Sequence, residues 1–107
     1  MVRDAAIQRT IKDIKNSDIR IQIIGYIKDI IENDYIILND ETDEIKVDIQ
    51  AVEYPFQKNN LINVIGKLNF KVEGEKEVEA EIIQDKSTLN FEYYLKLYEI
   101  KKELKLV

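Results

Sequence analysis

Residues 22–27 read QIIGYI and residues 63–68 read NVIGKL, and each run carries a glycine at its fourth position. Glycine weakens the interior of a strand, so it marks a place where the strand bends or approaches another backbone closely. Around Gly25 the alternation of apolar and polar residues breaks, because Ile24 and Tyr26 make both strand faces apolar. The pattern predicts long strands that bend at their glycines. The alternative is that each glycine only avoids a clash with a neighbouring side chain.

Five strand-like segments and one helix-like segment extend outward from these two runs. The predicted strands are residues 19–31, 35–39, 44–51, 61–70 and 77–83, and the predicted helix is 91–105 with Asn90 as its N-cap. Five short antiparallel strands leave two sheet edges exposed unless they close into a barrel. Before them, Ile7, Ile11 and Ile14 have the spacing of one face of a short helix. The sequence therefore predicts a mainly β fold, a five-stranded barrel with a C-terminal α-helix.

The composition lacks the residues on which the commonest enzyme mechanisms depend. The 107 residues include no cysteine and no histidine, which removes the thiolate nucleophile, the Cys-based zinc site and the usual general base. Neither phosphate-binding motif, G-x-x-x-x-G-K-[ST] or G-x-G-x-x-G, is present. The acidic turn at residues 39–44 lacks the spacing and the glycine of a calcium loop. We therefore expect a non-enzymatic protein with no catalytic residue, no cofactor and no metal site.

Charge and hydropathy restrict the partners. The formal net charge is −5, which argues against a charge-driven nucleic-acid binder with a basic stripe. The apolar runs are a few residues long, too short to span a membrane, and the N-terminus is charged where a signal peptide would be apolar. We expect no membrane partner and a cytoplasmic location, associated with the nucleoid, or a nuclear one if the source is eukaryotic.

Several stretches resemble the OB-fold domains of the middle and small subunits of replication protein A. The matching stretches are IKDIKNSDIRIQIIGYIKDI at 11–30, YIILNDETDEIKVDI at 35–49, LINVIGKLNF at 61–70 and EVEAEIIQDKSTLNFEYYLKLYEIKKEL at 77–104. Asp43 stands where the turn of that family usually has glycine. The resemblance implies a single OB-fold domain over residues 1–107, with a Greek-key barrel. It divides the chain into an N-terminal extension at 1–18, the barrel at 19–84 and a partner helix at 90–105.

The C-terminal helix has more apolar surface than one small barrel covers. A projection at 100° per residue separates two apolar patches. Phe91, Tyr94, Leu95 and Tyr98 form the first patch, and Tyr93, Leu97, Ile100 and Leu104 form a seam with coiled-coil spacing. Burying a large apolar side chain gains ~1.5–3 kcal/mol, so a patch left exposed favours association. The predicted partner-helix residues are Tyr93, Leu97, Ile100, Leu104, Tyr94 and Tyr98. The alternative is that both patches lie in a groove of the chain's own barrel.

A second candidate surface is the face on which OB-folds bind single strands, by stacking bases on aromatic rings and contacting phosphates with basic side chains. The candidate nucleic-acid-binding residues are Tyr35, Lys46, Tyr54, Phe56, Lys67 and Lys71. Against this, Glu77, Glu79 and Glu81 are predicted to point outward, where they would repel phosphate. Tyr54 and Phe56 could instead close one end of the barrel.

The resemblance implies a non-enzymatic subunit of a replication protein A-like single-stranded DNA-binding complex in DNA replication, repair or recombination. Such a subunit acts mainly in assembly through its C-terminal helix. Its partners would be other OB-fold subunits in a hetero-oligomer, or a second copy when the chain is isolated, and it would meet single-stranded DNA mainly through the complex. The alternatives are a stand-alone binder of single-stranded DNA or RNA, and a subunit of another OB-fold assembly such as a telomere-cap-like complex.

Overall fold

The described part of this computed structural model, residues 5–71 and 74–107, forms six strands, one turn of 3-10 helix and one α-helix. The strands are β1 (Ile7–Gln8), β2 (Arg20–Ile31), β3 (Tyr35–Asn39), β4 (Glu44–Asp48), β5 (Leu61–Phe70) and β6 (Lys76–Asp85). The 3-10 turn is Ile11–Asp13 and the helix α1 is Phe91–Glu103. Strands β2 to β6 correspond to the five predicted strands, and α1 corresponds to the predicted helix.

The sheet closes into a barrel because β2 pairs with both β3 and β5. Its second half, from Tyr26 to Ile31, pairs with β3, and its first half, from Arg20 to Tyr26, pairs with β5. The circle continues from β3 to β4, from β4 to β6 and from β6 to β5. The pairing of β4 with β6 is parallel, whereas the sequence predicted antiparallel strands throughout. The predicted fold class, a five-stranded barrel with a C-terminal helix, is confirmed.

Both strand glycines lie where two backbones approach closely. A Cβ on Gly25 would stand 2.8 Å from the carbonyl oxygen of Asn39, and a Cβ on Gly66 would stand 2.2 Å from that of Glu79. Gly25 also lies at the point where β2 passes from β5 to β3, and Gly66 lies beside a register shift between β5 and β6. Each glycine therefore lies at a corner of the barrel. It also removes a clash there, which would be closest with a backbone carbonyl and next with a neighbouring side chain.

The register shift next to Gly66 changes which residues of β6 face the core. Gly66 pairs with Ala80 and Ile65 pairs with Ile82, so one extra residue, Glu81, lies between them on β6. Val78 and Ala80 are buried as predicted, but Ile82 is 48% exposed, against the prediction that it points inward. Ile83 packs toward the core in its place. A bulge moves all later side chains to the opposite face.

Three residues at strand ends are also exposed, although the alternation within their predicted strands places them on the inward face. Ile19 lies before the first residue of β2, Ala51 lies three residues beyond the end of β4, and Phe70 is the last residue of β5. The strand periodicity applies only while the strand remains part of the barrel wall. Beyond the wall there is no core for these side chains to enter.

The N-terminal segment is not the short helix that its isoleucine spacing predicts. Ile7 lies in β1, which pairs in parallel with β2, and a single 3-10 turn follows. Ile11 and Ile14 are buried in the barrel core, whereas Ile7 is exposed. The Ile11 amide donates to the Asp40 carboxylate at 2.7 Å. Partners outside the segment thus take the backbone groups that a helix would need.

Asp40 organises the turn between β3 and β4. It is 1% exposed, and its Oδ1 accepts from the Thr42 amide at 3.0 Å, the Thr42 hydroxyl at 2.6 Å and the Asp43 amide at 3.2 Å. The positive φ of this turn, 72°, falls on Glu41. Asp43, which stands at the usual glycine position of the resembling family, has no positive φ. The buried carboxylate joins this turn to the N-terminal segment.

Candidate interaction sites

The inner face of α1 packs on the outside of the barrel. Asn90 caps the helix, as predicted, with its side-chain oxygen accepting from the Tyr93 amide at 3.0 Å. Phe91 is buried against Ile24 and Leu61, and its ring lies edge-on to Tyr26 with 5.2 Å between centroids. This apolar cluster attaches the first turn of the helix to strands β2 and β5.

The second half of α1 is attached to the N-terminal segment. The buried Tyr98 donates its hydroxyl to Asp13 Oδ2 at 3.0 Å, and Lys102 Nζ lies 3.0 Å from the same oxygen. Gln8 Nε2 donates to the Tyr94 hydroxyl at 2.8 Å. Burial raises the pKa of Asp13, but the hydrogen bonds from Lys102 and Tyr98 outweigh it and hold that pKa below its ordinary value. Burial raises the pKa of Tyr98. The helix thus docks on charged and polar contacts as well as apolar ones.

The outer face of α1 presents a row of exposed apolar side chains, which we call the outer row. The exposed fractions are 65% for Tyr93, 39% for Leu97, 52% for Ile100 and 64% for Leu104. Of the predicted partner-helix residues, Tyr94 and Tyr98 lie instead on the inner face, against the chain's own fold. The alternative in which the chain covers both patches does not fit the described residues, because only the inner patch is covered.

The outer row continues past the end of the helix. Lys105 takes a positive φ of 58°, and the chain turns back so that the Leu106 amide donates to the Lys101 carbonyl at 2.8 Å. This is the hydrogen-bond pattern of a Schellman cap, in which a hydrophobic residue beyond the cap lies near the last helical turn. Leu106 is exposed there. Sequence reasoning missed Leu106 because it extended the helix to residue 105.

On the barrel, the structure brings together three of the six predicted nucleic-acid residues. Lys46 on β4 places its Nζ 4.0 Å from the ring centroid of Tyr35 on β3. Lys71, just after β5, lies on the same surface, because it pairs with Glu77, the register partner of Lys46. Lys71 Nζ is 3.0 Å from Glu77 Oε2, and this hydrogen bond raises the pKa of Lys71. One aromatic ring and two cations therefore share the outer surface of the barrel.

The other three predicted residues have different surroundings. Tyr54 and Phe56 pack on each other, with 5.0 Å between ring centroids, and against the barrel core. Burial, followed by the charge of Asp85, raises the pKa of Tyr54. Lys67 is exposed on β5 and is the register partner of Glu79 on β6. The positions of Tyr54 and Phe56 fit the closing of a barrel end better than the stacking of bases.

Three glutamates of β6 were predicted to point outward, and each of them has a polar or charged partner in the protein. Glu77 points away from the core, as predicted, but is only 3% exposed, and its partner is Lys71. Glu81 forms a two-bond ion pair with Arg20, with Nε to Oε1 at 2.6 Å and Nη2 to Oε2 at 2.8 Å. Glu79 Oε2 accepts from the Asn69 amide group at 3.2 Å. Two of these carboxylates thus neutralise cations on the barrel surface.

Within residues 5–71 and 74–107, no group of three or more acidic side chains has the arrangement of a metal site. In the same ranges, no helix has the length and apolar character needed to cross a membrane.

Comparison with known proteins identifies the fold. No protein-family model and no curated protein matches the chain. A chain of the S. pombe Stn1–Ten1 complex matches with a TM-score of 0.74 and 19% identity, covering 94% of both chains. The telomere capping protein Ten1 from Saccharomyces pombe matches with a TM-score of 0.73 and 18% identity, covering 92% of this chain and 99% of that one.

A chain of a replication protein A heterotrimer bound to single-stranded DNA matches with a TM-score of 0.62 and 12% identity, covering 83% of this chain and 75% of that one. The chain has an OB-fold. At these identities the likeness shows the fold alone, and the OB-fold supports many functions. The partners of this OB-fold chain are determined by the surfaces that it exposes.

Proposed function

We propose that this chain is a non-enzymatic subunit of a single-stranded DNA-binding complex and that the outer row of α1 binds another OB-fold subunit. One observation carries the proposal: Tyr93, Leu97, Ile100 and Leu104 form a continuous exposed apolar row on a helix whose opposite face is already docked. Burying each of these side chains against a partner contributes ~1.5–3 kcal/mol. The row has the spacing that suits packing against a second helix.

The comparisons support an assembly role because the matching proteins include subunits of complexes. One is a chain of the S. pombe Stn1–Ten1 complex and another is a chain of a replication protein A heterotrimer. The likeness to the former is higher in TM-score and extends over nearly all of both chains. We therefore favour a telomere-capping type of complex over a replication protein A type.

In this proposal DNA is contacted mainly by the complex as a whole. Lys71 and Arg20 on the barrel surface are already paired with Glu77 and Glu81, so these two cations are less available to phosphate in the isolated chain. The location we propose is the compartment that holds the DNA, the cytoplasm of a prokaryote or the nucleus of a eukaryote.

The experiment replaces two residues of the outer row with aspartate. The tagged chain, purified from its native host, should carry an OB-fold subunit that mass spectrometry identifies, and Leu97→Asp with Ile100→Asp should abolish this association. The matched control is Lys96→Asp with Glu99→Asp, which alters two exposed positions on the polar side of α1 and should retain the partner. The β signal in circular dichroism should be the same for all three chains.

Retention of the OB-fold subunit by the Leu97/Ile100 variant would contradict the proposal. Unfolding of that variant would show that the outer row belongs to the chain's own core. If sedimentation shows instead that the purified chain forms a homodimer lost in the same variant, then the partner is a second copy rather than a different subunit.

The second candidate function is stand-alone binding of single-stranded DNA or RNA. The observation that favours it is the exposed cation of Lys46 over the ring of Tyr35, since aromatic stacking and cation contacts are the usual means of single-strand binding. Titration of the purified chain with a labelled oligonucleotide separates the two functions. Dissociation constants in the micromolar range or tighter would favour the stand-alone binder.

A further inference from the structure

Glu77 is a buried carboxylate on the outer surface of the barrel. It is 3% exposed, although it alternates with the inward-facing Val78 and so points away from the core. In the β4–β6 ladder its register partner is Lys46, and paired residues point to the same side of a sheet. Glu77 therefore lies on the surface that also carries Lys46, Tyr35 and Lys71.

The burial of this charge is not needed to fill the core. Oε2 of Glu77 pairs with Lys71, but Oε1 has no hydrogen-bond partner among residues 5–71 and 74–107. A buried charged oxygen without a partner lowers stability. A glutamine of nearly the same shape would remove the charge and keep the packing. The carboxylate is therefore better explained by what it does to the surrounding cations than by the stability of the barrel.

The main effect of Glu77 is to occupy Lys71. The two side chains form an ion pair at 3.0 Å, and their hydrogen bond raises the pKa of Lys71. A DNA phosphate that approached Lys71 would meet the negative charge of this carboxylate beside the ammonium, which weakens the phosphate contact. Lys46, the register partner of Glu77, also lies in the field of this negative charge, so phosphate contact at Lys46 is weakened as well.

We infer that Glu77 is a built-in counter-charge that suppresses the binding of single-stranded DNA by the isolated chain. Opening of the Lys71–Glu77 pair exposes a surface of Tyr35, Lys46 and Lys71 that is suited to one or two nucleotides. The inference rests on the proposed role in a single-strand-binding complex only for its choice of ligand. It explains how an OB-fold chain can join such a complex and contribute little affinity when alone.

The test compares Glu77→Gln with Glu92→Gln in the full chain. Each change removes one negative charge, but Glu92 lies on the polar side of α1. The probe is a labelled oligothymidine of about 16 nucleotides, the upper site size for one OB-fold. Glu77→Gln should bind about two- to fivefold more tightly than wild type at low salt, as expected for release of one lysine that is itself half exposed. The slope of log affinity against log salt should steepen by about 0.7 for one new phosphate contact.

Equal affinities for the two variants, with unchanged circular dichroism, would overturn the inference. If Glu77→Gln fails to fold, Lys71→Gln in the wild-type background decides the question. Because Lys71 is already occupied, its loss should leave oligothymidine binding unchanged, and a loss of affinity would show that Lys71 contacts DNA despite Glu77. Association through α1, measured with the partner subunit, should not change in either variant. A negative result for oligothymidine binding would therefore leave the proposed role of α1 in assembly untouched.

Discussion

At the scale of single residues, the barrel depends on two places without a side chain. The Cβ of any other residue at position 66 would lie 2.2 Å from the backbone oxygen of Glu79, and at position 25 it would lie 2.8 Å from that of Asn39. Backbone atoms in a ladder cannot move aside without breaking their hydrogen bonds. A methyl group is therefore tolerated less well at position 66, where β5 pairs with β6, than at position 25, where β2 passes to β3.

Gly66→Ala should lower the free energy of unfolding by about 3 kcal/mol, at the upper end of the usual cost of overpacking. Gly25→Ala should cost less, because the approach there is 0.6 Å wider (2.8 Å against 2.2 Å). Gly74→Ala is the control: it has open space and a φ of 77°, so only backbone strain of about 1 kcal/mol is expected. Urea denaturation of the three variants checks the order. An equal loss at positions 66 and 74 would contradict it.

At the scale of elements, α1 is attached by two different kinds of contact. Its first turn is held by the apolar cluster around Phe91, and its second half by Tyr98 and Lys102 on Asp13. The second attachment depends on an ionised carboxylate. Acid should therefore weaken the C-terminal half of the helix before it affects the first turn.

The pKa of Asp13 predicts how stability changes with pH. It is lowered in the folded chain, so its contribution is complete above the unfolded value, roughly pH 4, and is lost as the pH falls through the lower folded value. Asp13→Asn should cost about 1–2 kcal/mol at pH 7 and should flatten the decline of unfolding free energy below about pH 4. Tyr98→Phe, which keeps the lysine contact, should lie between the two curves. Parallel curves for wild type and Asp13→Asn would show that Asp13 does not carry this dependence.

The sequence predicts elements well where covalent geometry alone decides the outcome. The separation of two apolar patches on α1 follows from 100° per residue. Which patch docks does not follow from it, since Tyr94 and Tyr98 were predicted to bind a partner and instead lie against the chain's own fold. The helix cap at Asn90 was predicted for the same reason, since a side-chain oxygen just before the first turn reaches free amides. Neither the separation of the patches nor the cap depends on distant residues.

The errors arise where a distant partner decides. Ile82 faces solvent because the bulge beside Gly66 reverses the phase of β6, and this register is set by the closing of the barrel. The N-terminal isoleucines have helical spacing, but the buried Asp40, 29 residues away from Ile11, takes the amide that a helix would use. Periodicity within a segment contains no information on such partners.

At the scale of the whole molecule, the N-terminal segment is a structural part of the barrel. Ile11 and Ile14 belong to the barrel core, and β1 extends the sheet along β2. Arg9 binds Asp18 through two bonds, Nε to Oδ2 at 2.9 Å and Nη2 to Oδ1 at 3.1 Å. The segment also supplies Asp13 to the helix. The barrel and α1 are therefore joined through residues that precede both of them.

A chain that begins at residue 15 should not remain folded at room temperature. Each buried isoleucine contributes about 2–5 kcal/mol, and a domain of this size has about 5–15 kcal/mol in all. A chain that ends at Leu104 is the control: it loses three residues outside α1 and should keep a cooperative thermal transition. Circular dichroism and heat-induced unfolding check both. A cooperative transition at the wild-type temperature in the first chain would show that the barrel is independent of its N-terminal segment.

The double pairing of β2 has a consequence for how the molecule opens. This strand borders β1, β3 and β5, so neither half of the barrel can separate without releasing it. The amide hydrogens in its middle should exchange with deuterium at one common, slowest rate, which reports the rupture of the entire wall. Deuterium uptake in β2 then measures global stability directly, whereas uptake in α1 reports the release of the helix alone.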